Sequence, residues 1–511
     1  MMLSSIRYLI RRSNIVFGLA SDSLALAMGV VLALLVLIMA PTIPSWSSYK
    51  LVLVGVLGLA YLGALMVGDL RRSLLVSLVL AIPLNLPFSP LGDVPYHAGG
   101  ALAGVVLYPY DFPLIGLLIL SFLDTLGKRK PIHFSGIDVA AILLILWTTL
   151  SIYNSSQIPL SVFEVLRMAK LYLLARVIAG NVNTKRDTRD VLIAILIGLT
   201  IQGVIGVLQY ATGTDLGLGL YTVGNLRRVS GTVGWPNTYG AYAAAVLSFG
   251  LAFWIFGAHS KLQLPIKLAS ILGVTALVLS FSRGAWISLV AGVGFSLVLA
   301  WRTARLRNRV LIRAVWILLT AATLALPFRG PLVLRISELE SDAGVLTDRM
   351  KLNQVAINMI GSHPVLGIGI NTFVNEMGRY DPTGVTAYFP QPVHNIYLLI
   401  AAETGIVGLA LFLLLILLAF RAGFQATLSE DLFVSGCAAG ALSGLVVLMV
   451  NNIADAHLRT DVLSGVFWLL IGILVALRGK WFSPHLDTSP WSGSGRFITD
   501  PSESGNAAAS L

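Results

Sequence analysis

The chain has 511 residues, of which 56% are apolar and only 12% charged, and its mean hydropathy is +0.84. A soluble domain carries about twice that charge, so a soluble enzyme or soluble binding module is excluded and a multi-pass membrane protein is indicated. The net charge of +11 does not indicate a nucleic-acid partner, because the basic residues fall in short loops between apolar runs, as orientation in a bilayer requires.

Arg7, Arg11 and Arg12 precede the first apolar run. No small-residue cleavage site follows, so the reading is an uncleaved first helix. A spanning helix needs about 20 mainly apolar residues. On that rule there are fourteen candidate spans, near 24–43, 51–68, 73–88, 105–123, 137–153, 161–180, 190–210, 237–257, 266–281, 284–301, 310–327, 395–420, 432–452 and 460–477. The third and ninth are short. The sixth holds Glu164, Arg167, Lys170 and Arg176, so it either spans or lies partly in the interface. The expected fold is an all-α transmembrane bundle of about 12 to 14 spans.

Loop charge sets the orientation. With the N-terminus inside, the inner loops hold Arg71-Arg72, Lys128 to Lys130, Lys185-Arg186 with Arg189, Lys261 with Lys267, Arg302 to Arg313, Arg421, and Arg478 with Lys480. The outer loops before residue 328 are nearly bare, with Lys50, Arg227-Arg228 and Arg283. Both termini are therefore expected in the cytoplasm, with one large external loop, 328–394, between late spans. The organisation expected is 1–189 as N-terminal transmembrane helices, 190–477 as a core that includes the loop, and 478–511 as a disordered cytoplasmic tail rich in Ser, Gly, Pro and Asp. The single cysteine, Cys437, excludes an intrachain disulfide and a cysteine-based metal site.

Polar residues gather on the outer side. The segments are Arg227 to Asn237, Ser280 to Trp286, the long loop, and Asn451 to Arg459. Arg283 ends an apolar span. It either snorkels to headgroups or, flanked by Ser282 and Gly284, forks an anion. Arg349 opens a stretch whose apolar positions 352, 355, 356, 359 and 360 follow helical spacing. That pattern predicts an amphipathic helix lying on the bundle. Arg349 then lies in its first turn, and spacing alone reads it as a solvated partner of Asp348.

His394 stands where the long loop meets an apolar helix. A neutral imidazole there can accept a proton from a hydroxyl, or it caps the helix. Asp455 and Glu403 can orient His394 or an acceptor, and Glu403 can instead be a buried structural carboxylate. His363, before Pro364, reads as structural. An arginine-rich face without paired carboxylates points to a diphosphate held by side chains rather than bridged by Mg2+. No metal and no cofactor is expected.

Four segments together resemble the O-antigen ligase / O-antigen polymerase superfamily of bacterial envelope glycan enzymes. They are Ser230-Gly231-Thr232-Val233-Gly234-Trp235-Pro236-Asn237, Ser282-Arg283-Gly284-Ala285, the run from Arg349 to Gly369, and His394-Asn395 through Glu403-Thr404-Gly405. The resemblance covers about residues 190–475. It implies a metal-independent, inverting glycosyltransferase in the inner (plasma) membrane, active on its periplasmic or extracellular side. The donor implied is a glycan on a polyprenyl diphosphate. The acceptor is lipid A-core, another lipid-linked glycan, or a protein side chain. It implies that Arg283 and Arg349 hold the diphosphate, that His394 activates the acceptor hydroxyl, and that Asp455 assists. Asn237, Asn395 and Glu403 take supporting places. Two features depart from the pattern: fourteen spans exceed the usual dozen, and Trp235 replaces a smaller or polar residue. The rival from another class is a lipid-linked glycan flippase. A transporter concentrates ionisable residues near the bilayer midplane, whereas here they crowd the outer face.

Overall fold

Apolar runs in a bilayer can satisfy their backbone polar groups only by coiling into helices or closing into a barrel. This chain coils. The structure, a computed structural model, describes residues 69–87, 104–128, 134–216, 218–223, 226–257, 262–303, 306–337 and 343–481. In chain order come α1 (Leu70–Ala81), α2 (Asp111–Lys128), α3 (Gly136–Ser151), α4 (Ile158–Asn181) and α5 (Lys185–Thr212). A hairpin of β1 (Leu220–Val223) and β2 (Leu226–Val229) follows. Then come α6 (Pro236–Ile255), α7 (Gln263–Ser280), α8 (Arg283–Arg302), α9 (Arg307–Ala325), α10 (Arg329–Ser337), α11 (Ala343–Ser362), α12 (Ile396–Thr427), α13 (Leu432–Asn451) and α14 (Asp461–Trp481). Among the described residues, nine helices are long and apolar enough to cross a membrane. The all-α membrane bundle is therefore as expected.

The expected spans 24–43 and 51–68, and the tail beyond residue 481, lie outside the described residues. One other expectation needs correction. The third span is only the twelve-residue α1. At 1.5 Å per residue it is about 18 Å long, too short to cross, and Leu74, Leu75 and Leu78 bury it inside the bundle. The sixth element, α4, is not among the nine helices long and apolar enough to cross a membrane, and its charges are paired within the bundle. Glu164 and Arg167 are buried and paired at 2.6 Å. Lys170 reaches Asp111 at 3.1 Å and Asp461 at 3.5 Å, and Arg176 reaches Asp138 at 3.1 Å. Each α4 charge thus meets an opposite one, the condition for holding charges inside a membrane bundle. The segment expected as the external loop is helical at its start. A 3-10 turn at Leu326–Phe328 joins α9 to α10, so the helical run continues to Ser337.

The bundle is organised around α6. Eighteen of its residues are buried, and eight of its twenty positions are Gly, Ala or Ser. Without a hydrophobic force between helices in lipid, such small residues allow close backbone approach. Gly292 of α8 shows it: a Cβ there would collide with Val447, Ser248 and the Ser443 carbonyl. By contrast α9 is almost wholly exposed, with Leu311, Ile312, Trp316 and Leu318 each at least 60% exposed. That apolar face suits lipid tails. The predicted stripe on α11 is observed. Leu352, Val355, Ala356 and Met359 are fully buried, while Met350 and Ile357 face outward.

The element that positions the site is the break in α12. Gly405 has φ 75° and ψ 178°, a backbone state open only to glycine. The break frees backbone groups of Ala402 to Ile406, and the loop after α11 takes them up. Ile368 N–H donates to Ala402 O at 3.0 Å, Gly369 N–H to Glu403 O at 3.1 Å, and Ile406 N–H to Pro364 O at 2.8 Å. Trp147 Nε1 donates to Thr404 O at 2.9 Å. The Pro-Val-Leu-Gly-Ile-Gly run is thus the backbone complement of the broken helix.

Candidate active site at one end of the bundle

The N-terminus of α12 is fixed twice. Asn395 is its N-cap, and its Oδ1 accepts the amides of Tyr397 at 2.9 Å and Leu398 at 3.0 Å. Ile396 N–H donates to Asn452 O at 3.0 Å, tying this helix start to the loop that follows α13. The tie brings His394 against that loop. His394 Nδ1 lies 3.1 Å from Asp455 Oδ1, and Phe389 stacks on the imidazole at 6.2 Å between centroids.

Asp455 holds a second imidazole. His457 Nε2 lies 3.3 Å from Asp455 Oδ2, and Thr238 Oγ1 lies 3.4 Å from His457 Nδ1. Burial presses the Asp455 carboxyl up, but His457, His394 and the Ala456 amide outweigh it and hold it below the usual carboxylate range. Burial is also the main force on His457 and lowers it, against the pull of Asp455. An ionised carboxylate only accepts hydrogen bonds. His394 must therefore carry a proton on Nδ1, so that in the neutral ring Nε2 is the accepting nitrogen. That Nε2 is buried and has no hydrogen-bond partner among the described residues. The same logic makes neutral His457 an Nε2–H donor that accepts the Thr238 hydroxyl at Nδ1.

Arg349 enters from α11. It is not the partner of Asp348, whose Oδ1 accepts from Tyr388 at 2.7 Å and Lys351 at 3.2 Å. Arg349 instead donates to Ala454 O at 3.2 Å, beside Asp455, and its Nε is buried without a hydrogen-bond partner. Arg283 is the first residue of α8, with Ser282 as N-cap. The next residue, Gly284, packs against Asn451, whose Nδ2 reaches Ser288 Oγ at 3.4 Å. Asn451 ends α13, so Arg283 stands beside the start of the Asp455 loop. His394 and Arg349 thus meet the loop 452–460 that carries Asp455, and Arg283 opens the helix whose next residue faces Asn451, just ahead of that loop.

The supporting residues separate. Asn237 Oδ1 accepts from Arg228 at 2.6 Å, and Arg228 Nε donates to Ser280 O at 3.0 Å. Asn237 therefore braces the turn ahead of Arg283. Phe281 in that turn has φ 49°, an unusual state for a bulky residue. Glu403 is not brought to His394. Its carboxylate accepts from Arg459 at 2.6 Å and from the Phe373 amide at 3.2 Å, and Arg459 also reaches Asn371 at 2.6 Å. It anchors the far side of the same loop. His363 contacts Tyr380 Oη at 3.4 Å, within the long loop.

Sequence reasoning missed His457, Arg459 and Arg228 as parts of this assembly. The Asp455-Ala456-His457 spacing within one polar loop was the available signal for the first. Arg167 adds a further hold, donating to Leu458 O at 3.5 Å. Four side chains from separate elements, Arg167, Thr238, Arg349 and Glu403, grip a loop of nine residues. Such support is what pre-organises a catalytic group.

The fold and the site define a polytopic membrane protein whose ionisable side chains converge at one end of the bundle. Residues 268–413 match the family model Wzy_C, O-antigen ligase, and that region is similar to this family. The match includes Arg283, Arg349, His394, Asn395 and Glu403, whereas Asn237 and Asp455 lie outside it. No curated protein matches the chain.

Proposed function

We propose that the protein transfers a glycan from a polyprenyl diphosphate carrier to an acceptor hydroxyl on the outer side of the inner membrane. The observation that carries this reading is the His394–Asp455 pair, with the imidazole Nε2 unengaged and the Arg349 guanidinium on the adjoining carbonyl. In the step, the acceptor oxygen attacks the anomeric carbon while His394 Nε2 takes its proton. The new C–O bond forms as the bond from the anomeric carbon to the diphosphate oxygen breaks. The electron pair leaves with the diphosphate, and attack from the opposite face inverts the anomeric centre. Arg283 and Arg349 stabilise the departing charge, since guanidinium forks phosphate oxygens and such electrostatic help is often the largest catalytic contribution. Asp455 holds the His394 tautomer, and His457 holds Asp455. Metal independence belongs to the same reading, since the cations offered to the leaving group are side chains.

The family match supports the reaction class and leaves three acceptors: lipid A-core, a second lipid-linked glycan, and a protein hydroxyl. The test is transfer by purified protein from a labelled undecaprenyl-diphosphate glycan in nanodiscs with EDTA. Lipid A-core, excess donor or a peptide acceptor is supplied in turn. Product on lipid A-core makes it a ligase, longer lipid-linked chains a polymerase, and glycopeptide a protein glycosyltransferase. Absence of product with every acceptor, from folded protein, refutes the reading and returns attention to transport of the same lipid.

A further inference from the structure

Trp235 is 60% exposed, although it begins the most deeply buried helix of the bundle. It is not a lone ring at a membrane interface. It stacks on Tyr221 of β1 with centroids 4.9 Å apart and planes at 30°. The stack is built on braced backbone. Gln209 of α5 donates to Gly219 O at 3.1 Å and accepts from Gly231 N–H at 2.9 Å, clamping both chain segments that flank the hairpin. Trp235 itself is set by Pro236, which opens α6.

The position of this stack is what gives it meaning. Thr238, the third residue of α6, places its hydroxyl 3.4 Å from His457 Nδ1. Asn237 takes the Arg228 guanidinium, which also holds Ser280 ahead of Arg283. Trp235 therefore stands three residues, just under one helical turn, before the residue that touches the His457–Asp455–His394 relay. A pyranose ring has an apolar face of C–H groups and a polar rim. Large amphipathic rings with one open face suit such a ligand, offering apolar contact without competing for its hydroxyls.

We propose that Tyr221 and Trp235 form a saccharide-stacking shelf that seats the glycan chain of a substrate beside the His394–Asp455–His457 relay. The proposal rests on the glycosyl-transfer reading. Its test measures KM and kcat separately for donor and acceptor with wild type, W235A, W235F, W235L and Y221A, alongside binding of the free oligosaccharide cut from the donor. W235A is expected to raise one glycan KM about tenfold or more with kcat little changed, the signature of lost binding that ground and transition states share. W235F restores most of the loss and W235L does not. Y221A repeats the effect at smaller size, which keeps the test open if W235A does not fold. A shift in donor KM assigns the shelf to the lipid-linked chain, and a shift in acceptor KM assigns it to the acceptor glycan. Unchanged KM values in an active enzyme overturn the shelf alone. W235L performing as well as W235F also overturns it, leaving an interfacial anchor. A wild type that transfers nothing yet binds the oligosaccharide, with W235A abolishing that binding, keeps the shelf and refutes the reaction.

Discussion

His457 and Asp455 make a pH-dependent pair whose sign follows from their surroundings. Both are lower in the folded protein than in the unfolded chain. The unfolded chain therefore binds more protons on acidification, and stability falls with pH. For His457 the loss begins as pH drops through the ordinary imidazole value of about 6.5 and ends at the lower folded value. For Asp455 it comes later, below the ordinary carboxylate range. Melting temperatures of wild type and H457Q in detergent should converge as pH falls below 6.5, because only wild type carries the His457 contribution. Parallel curves would mean that the fold does not lower the His457 pKa. Arg283 gives a second test at this scale. Lysine keeps its charge but cannot fork two oxygens. R283K should lose about a hundredfold in kcat, the scale for removing one oriented donor, and full activity would reduce Arg283 to a coulombic contact. These residues were legible one at a time, from residue type and placement in polar segments. Their partners were not. That Asp455 also holds His394, or that Arg349 leaves Asp348 for Ala454, depends on contacts between elements 61 and 105 residues apart, and local spacing carries no trace of them.

At the scale of elements, the break in α12 decides where His394 sits. A Cβ at Gly405 would run into the Val365 carbonyl, and its φ of 75° excludes other residues. G405A should lower thermal stability by at least about 1–3 kcal/mol of backbone strain and release the loop from Pro364 to Gly369. Protease sensitivity appearing near residue 366 checks it, and an unchanged melting curve with an intact loop refutes it. The stripe of α11 was readable, because five apolar positions at helical spacing admit one buried face. The hairpin was not, because four-residue strands bearing Arg227 and Arg228 give little alternation and no apolar face. Nor was the shortness of α1: an apolar run reads the same whether it crosses a bilayer or ends inside a bundle. The partners of the α4 charges on α2, α3 and α14 were hidden because they are distant in sequence.

For the whole molecule, the converging site and the lipid-exposed face of α9 describe a bundle with chemistry at one end. The buried charges of α4 are paired rather than lined along an open path, which fits structural support better than transport. Loop charge predicts that the end bearing His394 faces the outer side, and labelling tests the prediction. In a C437A background, P382C should react with an impermeant maleimide added to intact spheroplasts. E430C, between α12 and α13, should react only after lysis. The reverse pattern would invert the topology and place the site in the cytoplasm. The central claim is narrower: His394 is the base in transfer from an arginine-held diphosphate. The most direct measurement is the single-turnover transfer rate of H394A against wild type, at saturating donor and acceptor, with both proteins shown folded by thermal unfolding. The account predicts a rate lower by a hundred- to ten-thousandfold, the usual contribution of a general base, with donor binding retained. A wild-type rate in folded H394A would contradict it.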